Sequence, residues 1–343
     1  MSNARKEQDH TAALDRMLQL ATGYQASKVL FTAVRLGLFT ELAARPLPCE
    51  ELRLRLGLHP RAARDFFDAL VALGLLDRGE HGYANTPTTA RYLDRGRPGY
   101  LGGFLEMADS RLYDFWGTLL DGLRTGEPQN EIKHGGEFFD TLYQDPARRS
   151  EFLQAMTGLS MRSAHALTDT LDWSAHRVVA DIGCAEGALL GHLLLRHPHL
   201  HGIGFDLESV RDDFDRRVER FGLADRLSFT AGDFFTDPLP RADALVFGHI
   251  LHDWDLPTKR MLLRKAYEAL PTGGVVIVYE TLIDDDRREN APALLMSLNM
   301  LIETTGGFDY TGADCRGWLA EAGFGDSRVR HLAGAESMVI GTK

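Results

Sequence analysis

One stretch restricts the fold of this chain more than any other: VVADIGCAEGALL at residues 178–190. An apolar run ends on Asp181, the chain passes through Gly183 and Gly187, and helix-forming residues follow. Glycine lets a backbone turn sharply and approach a ligand closely, and in open α/β sheets ligands sit at the carboxyl ends of strands. The stretch therefore predicts a buried strand, a tight turn and a helix that starts beside a nucleotide-like ligand. A dinucleotide phosphate loop would read G-x-G-x-x-G. Here Gly183, Gly187 and Gly191 fall at every fourth position, and no Walker lysine follows. Asp181 and Glu186 would repel a pyrophosphate and attract a cation.

S-adenosylmethionine, which carries a sulfonium and an ammonium, suits such a turn better than NAD. Two later strand ends extend the pattern. HGIGFDL at 201–207 ends on Asp206, with Leu207 beside it, and a carboxylate about twenty residues past the glycine turn can accept the ribose hydroxyls. LSFTAGDFF at 227–235 places Asp233 to accept an adenine amine and Phe234 to face the ring. Three acids at three successive strand ends form a stronger signal than any one alone.

DIGCAEG at 181–187, Asp206, GDFF at 232–235 and HDW at 252–254 resemble the class I S-adenosylmethionine-dependent methyltransferases. Within them the chain resembles the dimeric small-molecule O-methyltransferases, the group of plant phenolic, acetylserotonin and bacterial natural-product enzymes. The likeness runs over nearly the whole chain.

At 343 residues there is length for two domains with cores. A net charge of −11 argues against a general nucleic-acid or membrane-surface role. Cys49, Cys184 and Cys315 are scattered and odd in number, so neither a disulfide framework nor a thiolate zinc site is indicated, and a reducing cytoplasm is the expected setting. The first residues carry no apolar signal-peptide segment, and no apolar run is long enough to span a bilayer.

Residues 12–42 show apolar side chains at helical spacing on more than one face, which calls for a partner subunit as cover, and the resemblance likewise implies a homodimer. The order helix, helix, two-stranded wing over residues 49–83 resembles a winged helix. Its arginines, Arg53, Arg55, Arg61 and Arg64, allow a DNA-binding alternative, but the acidic chain offers little to reinforce them; in the resembled family this module dimerises. From residue 175 onward strand and helix alternate. The expected fold is α/β: a C-terminal Rossmann-like, mostly parallel sheet with helices on both faces, after a mainly helical, winged-helix-like dimerisation domain. The expected divisions are 1–97 for dimerisation, 98–174 for a helical linker and 175–343 for the cofactor domain.

The linker, expected to break at 122–128 and 134–136, is rich in large apolar residues, Phe138 and Phe139 among them. Each can be plain core. The resemblance implies a substrate wall here, with Phe104, Met107, Trp116, Met156 and Met161 as candidates and 160–165 as a wall and lid element. The fourth strand of the cofactor domain runs out through His249 and His252, and every strand end of such a sheet faces one crevice. A hydroxyl with a pKa near 10 needs its proton removed as the methyl moves in line, work suited to a histidine. A strand-end histidine can equally be a hydrogen-bonded core residue; the resemblance assigns His252 as the base. His249 is expected as a packed neighbour or cofactor contact, and Asp253 and Trp254 as the cofactor side of the crevice. Glu280 ends the next strand and can orient the base. The resemblance puts a second acid at Asp309, where relatives carry a longer glutamate, so its reach to His252 is in question.

Met296, Asn299, Met300 and Glu303 share a helix face at i, i+3, i+4, i+7. The methionines can be core and the polar pair its margin, or all four can grip a polar substrate. A rival chemistry follows from the second case: His252 or His249 with Asp253 and Glu303 could hold one zinc or iron ion for C-methylation of an α-keto acid at its β-carbon. A further alternative is a catalytically silent binding or regulatory protein, against which the intact set Asp206, Asp233, His252 and Glu280 argues.

Overall fold

The computed structural model describes residues 3–97, 99–133, 142–143 and 145–343. Phe138, Phe139 and the expected break at 134–136 lie outside the described residues. The chain divides into two compact units, residues 1–110 and 111–343.

The first unit holds α1 (Asn3–Arg35), α2 (Leu38–Glu41), α3 (Cys49–Arg55), α4 (Ala63–Ala72), the hairpin β1 (Leu76–Gly79) and β2 (Gly82–Asn85), α5 (Pro87–Tyr92) and α6 (Gly102–Met107). In α4 Ala63, Phe67 and Leu70 repeat at i, i+4, i+7 and are buried, so one face of that helix enters the core with Leu52, Leu76 and Tyr83. The far end of α1 buries Ala33 and Val34, whereas Leu14, Met17, Leu18, Leu20 and Tyr24 are at least half exposed. Of the arginines that admit DNA contact, Arg53, Arg55 and Arg64 are paired with Glu50, with Glu41 and Glu51, and with Asp68.

The second unit begins with the short helices α7 (Tyr113–Trp116) and α8 (Leu119–Thr125) and the long α9 (Pro146–Thr170). It continues β3 (Val178–Ile182), α10 (Ala188–Arg196), β4 (His201–Asp206), α11 (Arg211–Phe221), β5 (Leu227–Ala231), β6 (Ala244–Gly248), α12 (Leu256–Ala269), β7 (Val275–Glu280), α13 (Ala291–Glu303), α14 (Gly312–Ala322), β8 (Asp326–Ala333) and β9 (Glu336–Thr342). The sheet order is β5-β4-β3-β6-β7-β9-β8, parallel except for β9, which pairs antiparallel with both neighbours. The α/β sheet expected from the sequence is present, with its closing hairpin.

Side chains alternate across the pleat. Ala180, Ile182, Leu245, Phe247, Val276 and Val278 enter one core cluster, while Val179, Val246, Ile277 and Tyr279 enter the other. Strand order reverses between β3 and β6, and the crevice at that reversal is where open sheets of this type take ligands. Residues 122–128 break the chain later than expected: α8 runs through Gly122 and ends at Gly126, whose φ is 74°. Residues 160–165 form the middle of α9.

Candidate active site

The sequence builds one half of the site at the ends of β3, β4 and β5. Gly183 follows β3 with a φ of 74°, and a Cβ there would lie 2.2 Å from Cδ1 of Ile250, so only glycine lets the turn close against β6. Asp206, at the end of β4, accepts the Ala185 N–H at 2.9 Å and the Leu207 N–H at 2.8 Å. One carboxylate thus ties the glycine turn to the next strand end and keeps further lone pairs for a ligand. Burial pushes its carboxyl up to about 6. Asp181 is buried and its carboxylate has no hydrogen-bond or ion-pair partner among the described residues, and burial together with the Asp206 charge pushes it up to about 7. A buried acid set of this kind fits the ammonium and ribose of S-adenosylmethionine. At the third strand end Asp233 accepts the Phe235 N–H, and Phe234, Phe235 and Trp254 form an edge-on aromatic group with centroids 4.8 to 5.7 Å apart. Glu186 has partners that the sequence did not show: its Oε2 accepts from Thr157 on α9 and from Arg217 on α11, so it closes two helices onto the turn.

The other half lies past β6 and β7. β6 stops at Gly248; His249 takes a left-handed backbone (φ 56°), and His252 sits on a 3₁₀ turn, Leu251–Asp253, rather than on the strand itself. That reversal places the imidazole beside the end of β7. Glu280 there is fully buried, accepts the His252 N–H through Oε1 at 3.2 Å, and sets Oε2 3.3 Å from Nδ1. Asp309 Oδ1 also lies 3.3 Å from Nδ1, so the shorter acid reaches His252 as closely as Glu280 does. Local chain chemistry explains that reach. A Cβ at Gly307 would fall 2.5 Å from the His252 carbonyl oxygen, so glycine brings this segment against the turn that bears His252. Ser297 then accepts the Asp309 N–H at 3.1 Å, and the Thr311–Asp314 capping box fixes the start of α14. Burial works against charge on His252, but Glu280, Asp253 and Asp309 outweigh it and push the imidazole up to about 10.

His249 is a packed neighbour: Nε2 is 3.6 Å from Glu336 Oε1 on β9, and its ring stacks edge-on against Tyr279. Asn299 accepts from Trp116 Nε1 at 2.9 Å, so two expected substrate residues meet across α13 and α7. Met156, Met296 and Met300 are half-buried or buried, and Met161 packs against the core of the sheet. Phe104 and Met107 lie on α6 in the first unit.

The expected metal set is not assembled. Glu303 Oε1 lies 3.2 Å from Arg111, which also holds Glu131, and the compact three-donor group among the described residues is His252 with Glu280 and Asp309. Two acids beside Nδ1 fix the orientation of an imidazole, an arrangement that suits proton transfer at its other nitrogen. Arg111 was not legible in the sequence as a site residue, because both of its acid partners are distant in the chain.

Comparison with known proteins gives a consistent result. A family model described as the O-methyltransferase domain matches residues 116–325, and one described as the O-methyltransferase dimerisation domain matches 18–95. The chain is 45% identical over 335 residues to the tetracenomycin polyketide synthesis 8-O-methyl transferase of Streptomyces glaucescens, covering 97% of this chain and 98% of that one. It is 37% identical to the N,N-dimethyltransferase OxyT of Streptomyces rimosus, covering 94% and 93%. An O-methyltransferase from neocarzinostatin biosynthesis, solved with S-adenosylmethionine and 2-hydroxy-5-methyl naphthoic acid, superposes with a TM-score of 0.72 at 28% identity, covering 92% and 95%.

Proposed function

The chain belongs to the O-methyltransferase family and draws its methyl group from S-adenosylmethionine, and on that premise we propose that it methylates an aromatic hydroxyl of a polyketide-like natural product, as a homodimer, with His252 as general base. The observation that carries the base assignment is the pair of buried acids, Glu280 and Asp309, each 3.3 Å from His252 Nδ1 at the end of the same sheet that bears Asp181 and Asp206. The dimerisation-domain match and the exposed apolar face of α1 support the homodimer. The oxygen-acceptor preference leans on the 45% identical relative, and the C-methyl alternative loses its metal set.

S-adenosylmethionine, when bound, would supply a methyl on a sulfonium. Glu280 and Asp309 lie beside Nδ1 of the imidazole, which leaves Nε2 to take the proton of the acceptor hydroxyl. A base raised toward 10 matches a phenol near 10, so this proton transfer is close to thermoneutral. Alignment of acceptor and methyl contributes about 7 to 11 kcal/mol. Trp116, Met156 and Met300 offer aromatic and adaptable apolar surface for a ring system.

The test is methyl transfer from labelled donor to a panel of hydroxynaphthoates, hydroxyanthraquinones, aromatic amines and α-keto acids. Ether formation on the hydroxylated rings is expected. Transfer confined to amines would move the protein to the chemistry of its 37% identical relative, and transfer to the β-carbon of a keto acid would overturn the hydroxyl reading.

A further inference from the structure

Lys259 lies on α12 and is fully buried. A buried ammonium is costly unless it is paired and hydrogen-bonded. Its Nζ donates to the Trp254 carbonyl and sits 3.6 Å from the ring centroid of Phe308 and 5.5 Å from that of Tyr310. Trp254 closes the segment that carries His252, and Phe308 and Tyr310 flank Asp309. One side chain therefore fastens together the two segments whose meeting puts Asp309 on the base. The charged groups that face it come from several elements: Glu280 on β7, Asp253 on the 3₁₀ turn, Asp309 ahead of α14 and Asp255 at the cap of α12. His252, His249 and Lys259 are the cations acting on Glu280.

We propose that Lys259 is a positioning residue for the reaction: its ammonium, held between the Trp254 carbonyl and the rings of Phe308 and Tyr310, pins the turn that bears His252 to the segment that bears Asp309. The proposal rests on His252 being the base. Burial pulls Lys259 down to about 8 against the surrounding acids, so it remains mostly charged at neutral pH. Without it, the Phe308–Tyr310 segment is released from the turn that bears His252, and the imidazole loses the Asp309 contact that raises its proton affinity.

The test compares K259M and K259Q with the wild type and with H252A, using a hydroxynaphthoate as acceptor probe and an NMR titration of the His252 imidazole that needs no acceptor. Both lysine variants should lose about tenfold or more in kcat, keep KM for the cofactor within about twofold, and show the acid limb of the kcat profile moved down by about one pH unit, because the imidazole loses its Asp309 contact. An unchanged kcat and an unmoved limb overturn the proposal. So does full recovery in K259Q, which keeps a donor for Trp254 and would make Lys259 a mere cap. If K259M does not fold, K259Q carries the same comparison. If the probe is not turned over, the NMR titration decides: a lowered His252 midpoint in the variants supports the proposal and an unmoved one overturns it. H252A separates the two readings: full activity there removes the base, whereas a crippled H252A beside a normal K259M removes only the lysine's role.

Discussion

His252→Ala is expected to lower kcat by about 10²- to 10⁴-fold while leaving cofactor affinity within about twofold, read by single-turnover transfer and by calorimetry. The loss is not total because alignment of the two reactants survives the substitution. The pH dependence follows from the same geometry. Three acids raise the imidazole's affinity for a proton, to about 10, so the reactive neutral form grows as pH rises. The wild-type rate should climb through the neutral and mildly alkaline range, with a limb that belongs to the coupled cluster rather than to one residue. The variant should lose that limb. A His252→Ala enzyme with the wild-type rate, or with the same pH limb, would exclude His252 as the base.

Asp206→Ala should weaken S-adenosylmethionine binding by about 10²-fold or more, since hydrogen bonds to a charged acceptor each contribute about 1.5–3 kcal/mol. Part of that loss comes through the turn, because Asp206 also accepts from the Ala185 and Leu207 N–H groups. Asp206→Asn, which keeps an acceptor of similar shape, should lose less. Cofactor affinity should also rise with pH. Asp181 and Asp206 are held up at about 7 and about 6 by burial, and a cation selects their ionised forms, so binding releases protons and tightens between pH 5.5 and 8. Calorimetry in buffers of different ionisation enthalpy measures this directly. Equal affinity in the Asp206→Ala protein would sink the ribose assignment.

The cofactor side was legible because its signals are local. Asp181 and Gly183, Asp206, and Asp233 with Phe234 each sit where a short apolar run meets its own turn, and the α/β order follows from those runs. The catalytic side was legible only in part. His252 and Glu280 could be read as neighbouring ends, but the 3₁₀ turn that swings His252 off the strand has no plain sequence signature. The reach of Asp309 depends on Gly307 passing the His252 carbonyl, a contact across more than fifty residues of chain. The arginine partners of Glu186 and Glu303 could not be read for one reason: an acid's ion pair is set by the cation that finds it. Arg217 and Arg111 find these two from distant segments. Lys259 reads as an ordinary helix lysine until Phe308 and Tyr310 fold over it.

The reversed strand β9 has a consequence for how the enzyme comes into being. It follows β8 in sequence yet lies between β7 and β8, and it pairs Ser337 with Glu280 itself. The units β3-α10-β4 and β4-α11-β5 can form from successive stretches of chain, whereas Glu280 gains its second strand neighbour only when residues far downstream insert. Such non-local pairing is slow, because loop closure must come before its reward. The topology thereby favours late completion of the sheet around Glu280, after the local β-α-β pairings have formed.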